Sequence, residues 1–430
     1  MSNEPRRCGT GGAVCNVTIT AVGAGMLALP HALEEVGVLL GVALLVAVVG
    51  LTYFSSTIIV RSAGARYKHT YADLIRSEFG GAGSKILQSS IILHVTGVMI
   101  VYLIVIADML VGSAPDFDGL LPSALGRHDN PWFLTRAFVT AVLVVVCISP
   151  MLVTRDLAVV AKYSRRSVYL MVLLALSLDA LAATAFARGQ KADVALFPPL
   201  KGHTLLARAS GLVVSSLSVV AVGFLAFTCQ FNLLPVQYSM VDRSTGNMVR
   251  VIKLALGLCF VLYGSVALAG YGLFGSRTDG DVLKNLTTKA VARIIGHDGA
   301  VVIVYLIVIS TAFNLMVNFA LKTFVIRSEI STMVWGTEIH QLSAAAYFSL
   351  TAVVVAVVYV LSVTIPSVYM LVSLIGSTAC VMFSYVFPGL LTARCGSSPA
   401  LRAGGVSIVA LAAVIAVTTV VGTLTGHIAA

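Results

Sequence analysis

The chain has few charged residues. Aspartate, glutamate, lysine and arginine together make up 11% of its 430 residues, whereas a soluble domain has about 25%. Hydrophobic residues make up 58%, and the mean hydropathy is +0.97. So little charge cannot cover a water-soluble surface of this size. The composition therefore predicts an all-α, multi-pass membrane protein in contact with lipid and with almost no soluble part.

Several chemical signatures are also missing from the sequence. It contains no paired catalytic carboxylates, no His/Cys cluster with metal-ligand spacing and no Ser–His arrangement at useful spacing. We therefore expect no enzyme activity, no metal and no cofactor. No basic stretch is interleaved with exposed aromatic residues, which excludes nucleic acid as a partner. No filter motif is present, which disfavours a channel.

Eleven apolar stretches of membrane length predict eleven transmembrane helices. They cover residues 12–36, 38–61, 84–112, 133–153, 167–187, 209–231, 249–274, 299–327, 341–361, 366–391 and 404–426. Residues 1–11 form a short N-terminal segment. Residues 70–79 have apolar side chains at helical spacing with charges between them, and both a surface helix and a plain polar loop stay open there.

Lysine and arginine are distributed unevenly between the two sides of the predicted bundle. With the N-terminus inside, eighteen of the 28 basic residues, Lys322 among them, lie on the inner side. Positive residues collect in cytosolic loops, so the N-terminus is predicted to be cytosolic and the C-terminus outside. We predict the plasma membrane, with an organellar membrane as the alternative. The glycosylation sequon at Asn285 then lies in an outer loop.

Two of the apolar stretches are interrupted, about half a chain apart. The first carries Gly23-Ala24-Gly25-Met26 followed by Pro30, and the second carries residues 223–228 followed by Pro235. Unwound backbone at membrane depth is tolerated only inside protein or beside a wet cavity. A matched pair of breaks in corresponding positions is typical of the substrate site of a transporter.

Four motifs follow one another in an order that a known family shares. They are Gly23-Ala24-Gly25-Met26-Leu27-Ala28-Leu29-Pro30, Phe224-Leu225-Ala226-Phe227-Thr228-Cys229-Gln230 with Leu234-Pro235, Ala269-Gly270-Tyr271-Gly272-Leu273-Phe274-Gly275, and Phe324-Val325-Ile326-Arg327. Together they resemble the amino acid/auxin permease family, although Val325 stands where that family has proline. Within it the chain is most similar to trypanosomatid amino acid permeases and to the sodium-coupled neutral amino acid transporter branch.

The resemblance implies a fold and an activity. The family has the fold of the bacterial leucine transporter, with two inverted five-helix repeats and one extra helix. The repeats would be residues 12–187 and 209–391, and the extra helix residues 404–426. The resemblance also implies a small-molecule amino acid substrate, moved by alternating access. Transporters of this fold can work as monomers.

A free amino acid brings a carboxylate and an ammonium group to the site. We expect the carboxylate at the backbone N–H groups of Gly23, Ala24, Gly25 and Met26, at the positive end of the outer half-helix. The ammonium is expected at carbonyls left unpaired around Phe224, Ala226, Phe227 and Thr228. The alternative for the glycines is a small-residue face for helix packing.

Other candidates carry two readings each. Phe224 and Phe227 share a helix face and serve as a gate or as core. Thr228 binds substrate or bonds back to its own helix. Thr20 is a further candidate for substrate binding. Asn314 and Asn318 share one side of the eighth stretch, and they contact substrate or bridge to the first.

Three titratable residues within the predicted membrane are candidates for side-chain recognition or for a proton. His94 is a protonation switch or a structural histidine. Asp108 and Asp179 receive a basic side chain or a proton, or they reach the outer interface. They favour basic amino acids such as arginine and lysine. A neutral amino acid, a polyamine or a membrane-embedded amino acid sensor stays open.

The coupling ion is predicted from two positions. Sodium-coupled members of the family carry an asparagine four residues before the first glycine and a threonine in the eighth helix. The same spacing gives Ile19 and, less closely aligned, Met316, and neither side chain offers oxygen to sodium. Sodium-free transport is therefore expected, by proton coupling or facilitated exchange, although Thr18, Thr20 and Thr311 could rebuild an oxygen site.

Overall fold

The computed structural model of the protein describes residues 8–112, 119–126, 131–153, 157–190, 192–198, 205–365 and 367–424. Within these residues the regular elements are helices, apart from one isolated β-bridge between Cys8 and Met240. A helix pairs its backbone N–H and C=O groups within itself, as lipid requires. The predicted all-α class is confirmed.

The helices follow one another along the chain with short connections. The first half contains α1 Thr10–Ala21, α2 Leu29–Val36, α3 Val38–Ala65, α4 Tyr71–Val111, α5 Leu120–Leu125, α6 Arg136–Val142, α7 Ser149–Val153 and α8 Leu157–Ala187. The second half contains α9 Leu205–Ala226, α10 Leu233–Ser239, α11 Thr245–Phe274, α12 Val282–Asn285, α13 Thr288–Ile295, α14 His297–Val334, α15 Ala344–Thr364, α16 Val368–Ile375, α17 Phe387–Cys395 and α18 Pro399–Leu424. Short 3-10 turns and π-helical turns join several of these, such as α6 to α7 and α16 to α17.

Eleven segments of the described chain are apolar and long enough to cross a membrane, if one bent pair counts as a single span. Span one is that pair, Thr10–Ala21 and Gly25–Val36, bent by 56°. Spans two to eleven are Val38–Ala65, Tyr71–Val111, Arg136–Val153, Arg166–Ala187, Arg208–Ser239, Thr245–Arg277, His297–Val334, Ala344–Thr364, Val368–Cys395 and Pro399–Gly422. Each predicted stretch has its helix. Residues 1–7, 366 and 425–426, which belong to predicted segments, lie outside the described residues.

Serine and threonine side chains begin many of the helices. The Thr70 hydroxyl accepts a hydrogen bond from Asp73 N at 3.0 Å, and the Ser343 hydroxyl accepts one from Ala346 N at 3.2 Å. Ser244 does the same for Asn247 at the start of span seven. Such caps satisfy N–H groups that a helix cannot pair internally. The local sequence therefore marks where these helices begin.

Span three begins thirteen residues earlier than its apolar stretch predicts, because residues 71–79 are helical. Of the two readings of residues 70–79, the helix is confirmed. Gly80, with a φ of 74°, sets this segment at an angle to the rest of the span. The hydroxyl of Tyr71 donates to the Phe383 carbonyl at 2.7 Å, and Glu78 forms an ion pair with Arg66. These contacts fix the segment against spans two and ten.

Spans three, six and ten form the centre of the bundle. Their most apolar windows are 78%, 61% and 72% buried, against 11% for span nine and 22% for span eleven. A helix buried all round has protein on every face, whereas one with few buried residues leaves most of its surface for lipid. These three spans therefore form the interior of the bundle, and span six among them is one of the two broken spans.

Two long-range contacts hold the ends of spans in place. Arg327 is buried, and its Nη1 donates to the Leu152 carbonyl at 3.2 Å and to the Thr351 hydroxyl at 3.1 Å. It thereby ties span eight to spans four and nine. At the N-terminus, Cys8 N donates to the Ser239 carbonyl at 2.9 Å, and Val241 N donates to the Cys8 carbonyl at 3.0 Å. The start of span one is thus paired with the end of span six.

Candidate functional site

Span one is broken at the predicted glycines. Helix α1 ends at Ala21, Gly23 is extended with φ and ψ both at −158°, and a 3-10 turn over Ala24–Ala28 leads into α2. Pro30 lies at the start of α2, where its missing N–H costs no hydrogen bond. The chain thus changes direction by 56° between the two half-helices.

The glycines of this break are required by close neighbours. A Cβ placed on Gly23 would lie 2.5 Å from the hydroxyl oxygen of Tyr102, and one on Gly25 would lie 3.0 Å from the Cα of Ala226. An extended φ such as that of Gly23 is open to any residue, so space is the constraint here. Gly25 brings the break of span one directly against the end of helix α9 in span six.

Span six is broken a little later than the sequence predicts. Helix α9 continues to Ala226, Phe227 to Cys229 leave the helical path, and a 3-10 turn over Gln230–Asn232 leads into α10. The expected unwinding at residues 224–226 is therefore wrong, whereas Phe227 and Thr228 lie within the break. The α-helical path resumes at Leu233, where α10 begins.

The carbonyls expected to be free at this break already accept hydrogen bonds. The hydroxyl of Thr228 donates to the Phe224 carbonyl of the preceding turn, which confirms the reading that Thr228 bonds back to its own helix. The hydroxyl of Tyr263 in span seven donates to the Ala226 carbonyl at 3.0 Å. The expectation of unpaired carbonyls is wrong for both residues. The Ala226 oxygen keeps a second lone pair, whereas the Phe224 oxygen also accepts from Cys380 Sγ at 3.4 Å.

The two phenylalanines of span six lie in the core. The Phe224 ring is 3.9 Å from that of Tyr385, and the Phe227 ring is 4.8 Å from that of Tyr263, centroid to centroid. Both side chains are buried, and neither lines the central cavity. Met26 is likewise buried in the core, and its N–H already donates to the Gly23 carbonyl at 3.3 Å, so the expected free donor is wrong for this residue. In this conformation the aromatic pairs support the break and do not cover it as gates.

A small cavity lies between the two breaks. Thr20, Gly23 and Gly25 of span one face it from one side, Thr228 and Leu225 of span six from another, and His94, Tyr102 and Lys322 close it. The space open to the centre of a water molecule is about 20 Å³, which is room for about one water. A free amino acid does not fit, so the site is closed and its walls must separate to admit one.

Lys322 is the charged residue at this cavity, and the sequence misplaces it. It was assigned to the inner side of the membrane, but it is buried on span eight, with Nζ 3.3 Å from the Thr20 carbonyl. Nζ also lies 4.9 Å from the centre of the Phe231 ring. The assignment fails because α14 continues to Val334, which puts Lys322 well inside the helix.

His94 faces the same cavity. It is buried in span three between the rings of Phe231 and Phe383, with centroids at 5.9 Å and 5.1 Å, and its Nδ1 has no hydrogen-bond partner among the described residues. An unpaired buried ring nitrogen is unusual for a purely structural histidine. The structure thus places this sequence-predicted residue at the cavity.

Thr20 links the two broken spans. Its hydroxyl donates to the Asn16 carbonyl at 2.8 Å and accepts from Asn232 Nδ2 at 2.7 Å, while its carbonyl accepts from Lys322. Every polar atom of Thr20 at the cavity therefore has a partner. Nearby, buried Gln230 donates to the Ser55 hydroxyl at 3.2 Å and so joins span six to span two.

The two asparagines of span eight pair with each other. Asn318 Nδ2 donates to the carbonyl of Asn314 at 3.0 Å and to its side-chain oxygen at 3.1 Å. Both residues are fully buried, and neither lines the central cavity. Asn314 Nδ2 has no partner among the described residues. Their predicted contact with substrate has no geometric support in this conformation.

The two membrane carboxylates also lie away from the cavity. Asp108 is buried and lies 3.6 Å from Arg136 Nη1 and 3.3 Å from Lys284 Nζ. Asp179 accepts a hydrogen bond from the Ser265 hydroxyl at 3.1 Å. Asp108 therefore joins spans three and four to the loop after span seven, and Asp179 joins span five to span seven. Neither is placed to bind a substrate side chain in this conformation.

A larger groove lies elsewhere, between spans four and nine. Its volume is about 430 Å³, and its walls are mostly valine and alanine, from Ala141 to Tyr359. Span nine is the least buried span, so this groove opens towards lipid. It has few convergent polar groups, which a site for a zwitterion requires. The small central cavity is the functional candidate.

Sequence reasoning missed two polar residues of this cavity, Tyr102 and Lys322. A signal for Lys322 was present: Asn314, Asn318 and Lys322 recur every four residues and so lie along one side of a helix. Polar residues at membrane depth usually face the bundle interior. Tyr102 is one of several polar residues of span three, and no local pattern distinguishes it.

Two broken spans that meet at a closed central cavity are typical of transporter folds built with broken helices. The profile of the family described as transmembrane amino acid transporter protein matches residues 6–430. The chain therefore belongs to this family, the amino acid/auxin permeases, and is an amino acid transporter and not an enzyme.

Its relatives carry names of the same kind. Amino acid transporter AVT6E of Arabidopsis thaliana is 26% identical over 386 residues, which are 90% of this chain and 76% of that protein. AVT6B of the same plant is 28% identical over 88% of this chain and 80% of its own length. Putative sodium-coupled neutral amino acid transporter 11 of Rattus norvegicus is 23% identical, over 90% and 78% of the two chains.

A solved structure supports the fold. A Na⁺-coupled sialic acid symporter in a substrate-bound, outward-open state superposes with a TM-score of 0.54 at 12% identity, covering 98% of this chain and 91% of that chain. The predicted leucine-transporter-like fold with eleven spans is thereby confirmed. The division into repeats at 12–187 and 209–391 stays a prediction, as does the similarity to trypanosomatid permeases.

Proposed function

We propose that the protein moves a free neutral amino acid by alternating access, with the substrate held between the breaks of spans one and six. The observation that carries this proposal is the contact of Gly25 with the backbone of Ala226 beside the central cavity. Separation of these two breaks would open space at the point where both half-helix ends are available to a zwitterion.

The backbone around the breaks supplies groups for both ends of an amino acid. The turn that begins at Ala24 presents N–H groups without helical partners and the positive end of a helix dipole, which suit the carboxylate. The carbonyl of Ala226 suits the ammonium group through its second lone pair, or after the Tyr263 hydroxyl moves away. The carbonyl of Phe224 becomes available once the Thr228 hydroxyl or the Cys380 thiol moves away. No other protein group is required to fix the two charges.

The charge at the cavity favours a neutral side chain. Lys322 contributes a cation, and no carboxylate lines the cavity within the described residues. A basic substrate would meet a like charge in a medium of low dielectric constant. The preference for arginine or lysine predicted from the sequence rested on Asp108 and Asp179, which have other partners. Basic amino acids and polyamines are therefore competing outcomes of the test.

We further propose that transport does not require sodium. Ile19 and Met316, at the positions counted from the family's sodium ligands, offer no side-chain oxygen. A proton gradient or facilitated exchange then remains as the driving force. The name of the rat relative includes sodium coupling, so the ion must be tested directly.

The experiment is uptake of labelled alanine, glutamine and leucine into proteoliposomes of the full chain, in sodium or choline medium and with or without a pH gradient. Lysine, arginine and putrescine serve as competitors. Saturable uptake of a neutral amino acid, blocked by neutral but not basic competitors and equal in both media, supports the proposal. Block by arginine or lysine restores the basic preference. A strict sodium requirement contradicts the ion assignment.

We propose that the N-terminus is cytosolic and that the protein resides in the plasma membrane. The inner excess of lysine and arginine supports this orientation, even with Lys322 removed from the count. An epitope tag after the last residue should bind antibody on intact cells, whereas a tag before the first residue should need permeabilisation. Antibody binding to the N-terminal tag on intact cells would reverse the orientation.

A further inference from the structure

Lys322 is a buried cation without a carboxylate. It is 6% exposed, and in the described part of the chain no aspartate or glutamate forms an ion pair with it. Its contacts are the Thr20 carbonyl at 3.3 Å and the face of the Phe231 ring at 4.9 Å. An ionisable group inside a membrane bundle is costly, so such a position is functional by default.

The lysine lies at the negative end of a half-helix. Helix α1 ends at Ala21, and Val22 N, which donates to the Thr18 carbonyl at 2.7 Å, is its last helical donor. The following carbonyls, that of Thr20 among them, have no N–H of the same helix to accept from. Their dipoles sum to a partial negative charge, which a cation stabilises. In broken-helix transporters such ends coordinate the transported cation.

The remaining groups near Lys322 favour a fixed cation over a bound metal. Thr20 Oγ1 is already occupied by Asn232, and Ile19 adds no oxygen. Thr18 and Thr311, the other two threonines that could rebuild an oxygen site, are buried and do not line the cavity. A hard metal ion requires several oxygen ligands, whereas an ammonium needs fewer and accepts an aromatic face as a partner. Lys322 finds one carbonyl and one ring here. The site is thus built for the ammonium of this chain.

We propose that the Lys322 ammonium is a built-in cation that holds the break of span one in place of a coupling metal ion. This inference rests on the proposed transport function and deepens it. The lysine keeps the negative end of α1 neutralised while the substrate enters and leaves. Since the cation is covalently part of span eight, it links spans one and eight permanently, and no sodium ion has to bind for each transport cycle.

A lysine that merely fills space predicts a different result on substitution. Methionine has a similar length and no charge, and replacing a buried charge by an apolar group of similar volume is often neutral or stabilising. A purely structural Lys322 would then leave Lys322→Met active. The proposal instead predicts that Lys322→Met folds well and fails to transport. Lys253, exposed on span seven, provides the matched control Lys253→Met.

The test measures uptake of a labelled amino acid into proteoliposomes together with melting temperature in detergent. We expect the wild type and Lys253→Met to transport equally in sodium and in choline. Lys322→Met should lose transport by about tenfold or more, without a lower melting temperature. In Lys322→Ala, which opens space beside the Thr20 carbonyl, sodium or butylammonium should raise the melting temperature and restore part of the transport.

Opposite results overturn the inference. Transport by Lys322→Met within about twofold of the wild type would show that the charge is dispensable. A wild type that needs sodium would also contradict it. If the wild type transports no amino acid, the proposed function fails. The melting temperatures of Lys322→Ala and of the wild type, with and without sodium or butylammonium, still test the role of Lys322. Stabilisation by sodium or butylammonium of Lys322→Ala and not of the wild type supports the inference, and no such difference overturns it.

Discussion

Gly25 in the break of span one lies against the backbone of Ala226 at the end of helix α9, so closely that a Cβ on Gly25 would be 3.0 Å from the Ala226 Cα. Real Cβ atoms rarely lie this close to backbone atoms, and backbone atoms cannot move aside as the end of a flexible side chain can. The two breaks are therefore in direct contact when the cavity is closed. They can separate only as whole segments.

Substitution of Gly25 by alanine should impair transport. The added methyl group forces spans one and six apart by a few tenths of an ångström, and small displacements of binding groups are costly at such a site. We expect uptake to fall about tenfold or more. The matched control is Gly257→Ala in span seven, where nothing lies within 4 Å of the new methyl group. Equal activities of the two variants would contradict the closed contact.

Gly23 and Tyr102 should be energetically coupled. A Cβ on Gly23 would lie 2.5 Å from the Tyr102 hydroxyl oxygen but 3.4 Å from the nearest ring carbons. Removal of the hydroxyl therefore leaves an ordinary van der Waals contact. We expect Gly23→Ala to lose transport and melting temperature, and Tyr102→Phe added to it to restore a large part of both.

A double-mutant cycle measures this coupling from the two single variants, the double variant and the wild type. An interaction of about 1 kcal/mol or more is expected for residues in direct contact. Additive losses in Gly23→Ala and Tyr102→Phe would mean that the two residues do not meet in the folded protein. Gly257→Ala combined with Tyr102→Phe should be additive.

Asp108 should support stability and not substrate choice. Asp108→Asn leaves Arg136 and Lys284 without their carboxylate. We expect the free energy of unfolding to fall by about 2 kcal/mol, less than for a fully buried pair because both cations are partly exposed. Asp179→Asn, which loses the acceptor of one hydrogen bond from Ser265, should cost less. Selective loss of the transport of basic amino acids in either variant would show that the wild-type carboxylate at that position binds the substrate side chain.

The segment between spans seven and eight should stabilise the protein in a pH-dependent way through Asp281. Burial raises the pKa of this carboxyl to about 7, from an ordinary value near 4. A folded pKa above the unfolded value means that stability is greatest below about pH 4 and declines as the pH rises to about 7. The melting temperature should therefore be higher at about pH 5 than at about pH 8.

The neutral variant Asp281→Asn tests the origin of this slope. Asp108, Asp279 and Lys284 are the charged neighbours of Asp281, and its Oδ2 has no hydrogen-bond partner among the described residues. We expect Asp281→Asn to flatten the melting profile between about pH 5 and 8. Asp298→Asn, an exposed carboxyl of span eight, should leave the slope in place. An unchanged slope in Asp281→Asn would assign the effect to another group.

Local sequence located the break of span one and placed that of span six a few residues too early. Gly23, Gly25 and Pro30 are local signals, and the structure unwinds there. In span six, Ala226 stays helical while the Tyr263 hydroxyl of span seven satisfies its carbonyl. That contact joins residues 37 positions apart, so no local pattern contains it. The helix consequently ends later than glycine and proline alone predict.

Side-chain roles were harder to predict than spans. An apolar stretch is a property of the sequence itself, whereas the lining of a cavity depends on how several helices rotate against one another. Lys322 shows the difference, because it was assigned to the membrane surface when span eight was expected to end at residue 327. Asp108 is the converse case. Its place in an apolar stretch predicts a contact with substrate, whereas Arg136 and Lys284, from distant parts of the chain, form ion pairs with it.

The two backbone hydrogen bonds that pair Cys8 with Ser239 and Val241 lie beside a side-chain contact of 3.5 Å between Cys8 Sγ and Ser239 Oγ. Mutation of these side chains leaves both backbone hydrogen bonds available, and only proline or a shift in register removes them. The N-terminal end of span one and the C-terminal end of span six are thus held together by two backbone hydrogen bonds that most side-chain substitutions leave in place. Any opening of the cavity between these two ends must therefore either move both ends together or first break both backbone hydrogen bonds.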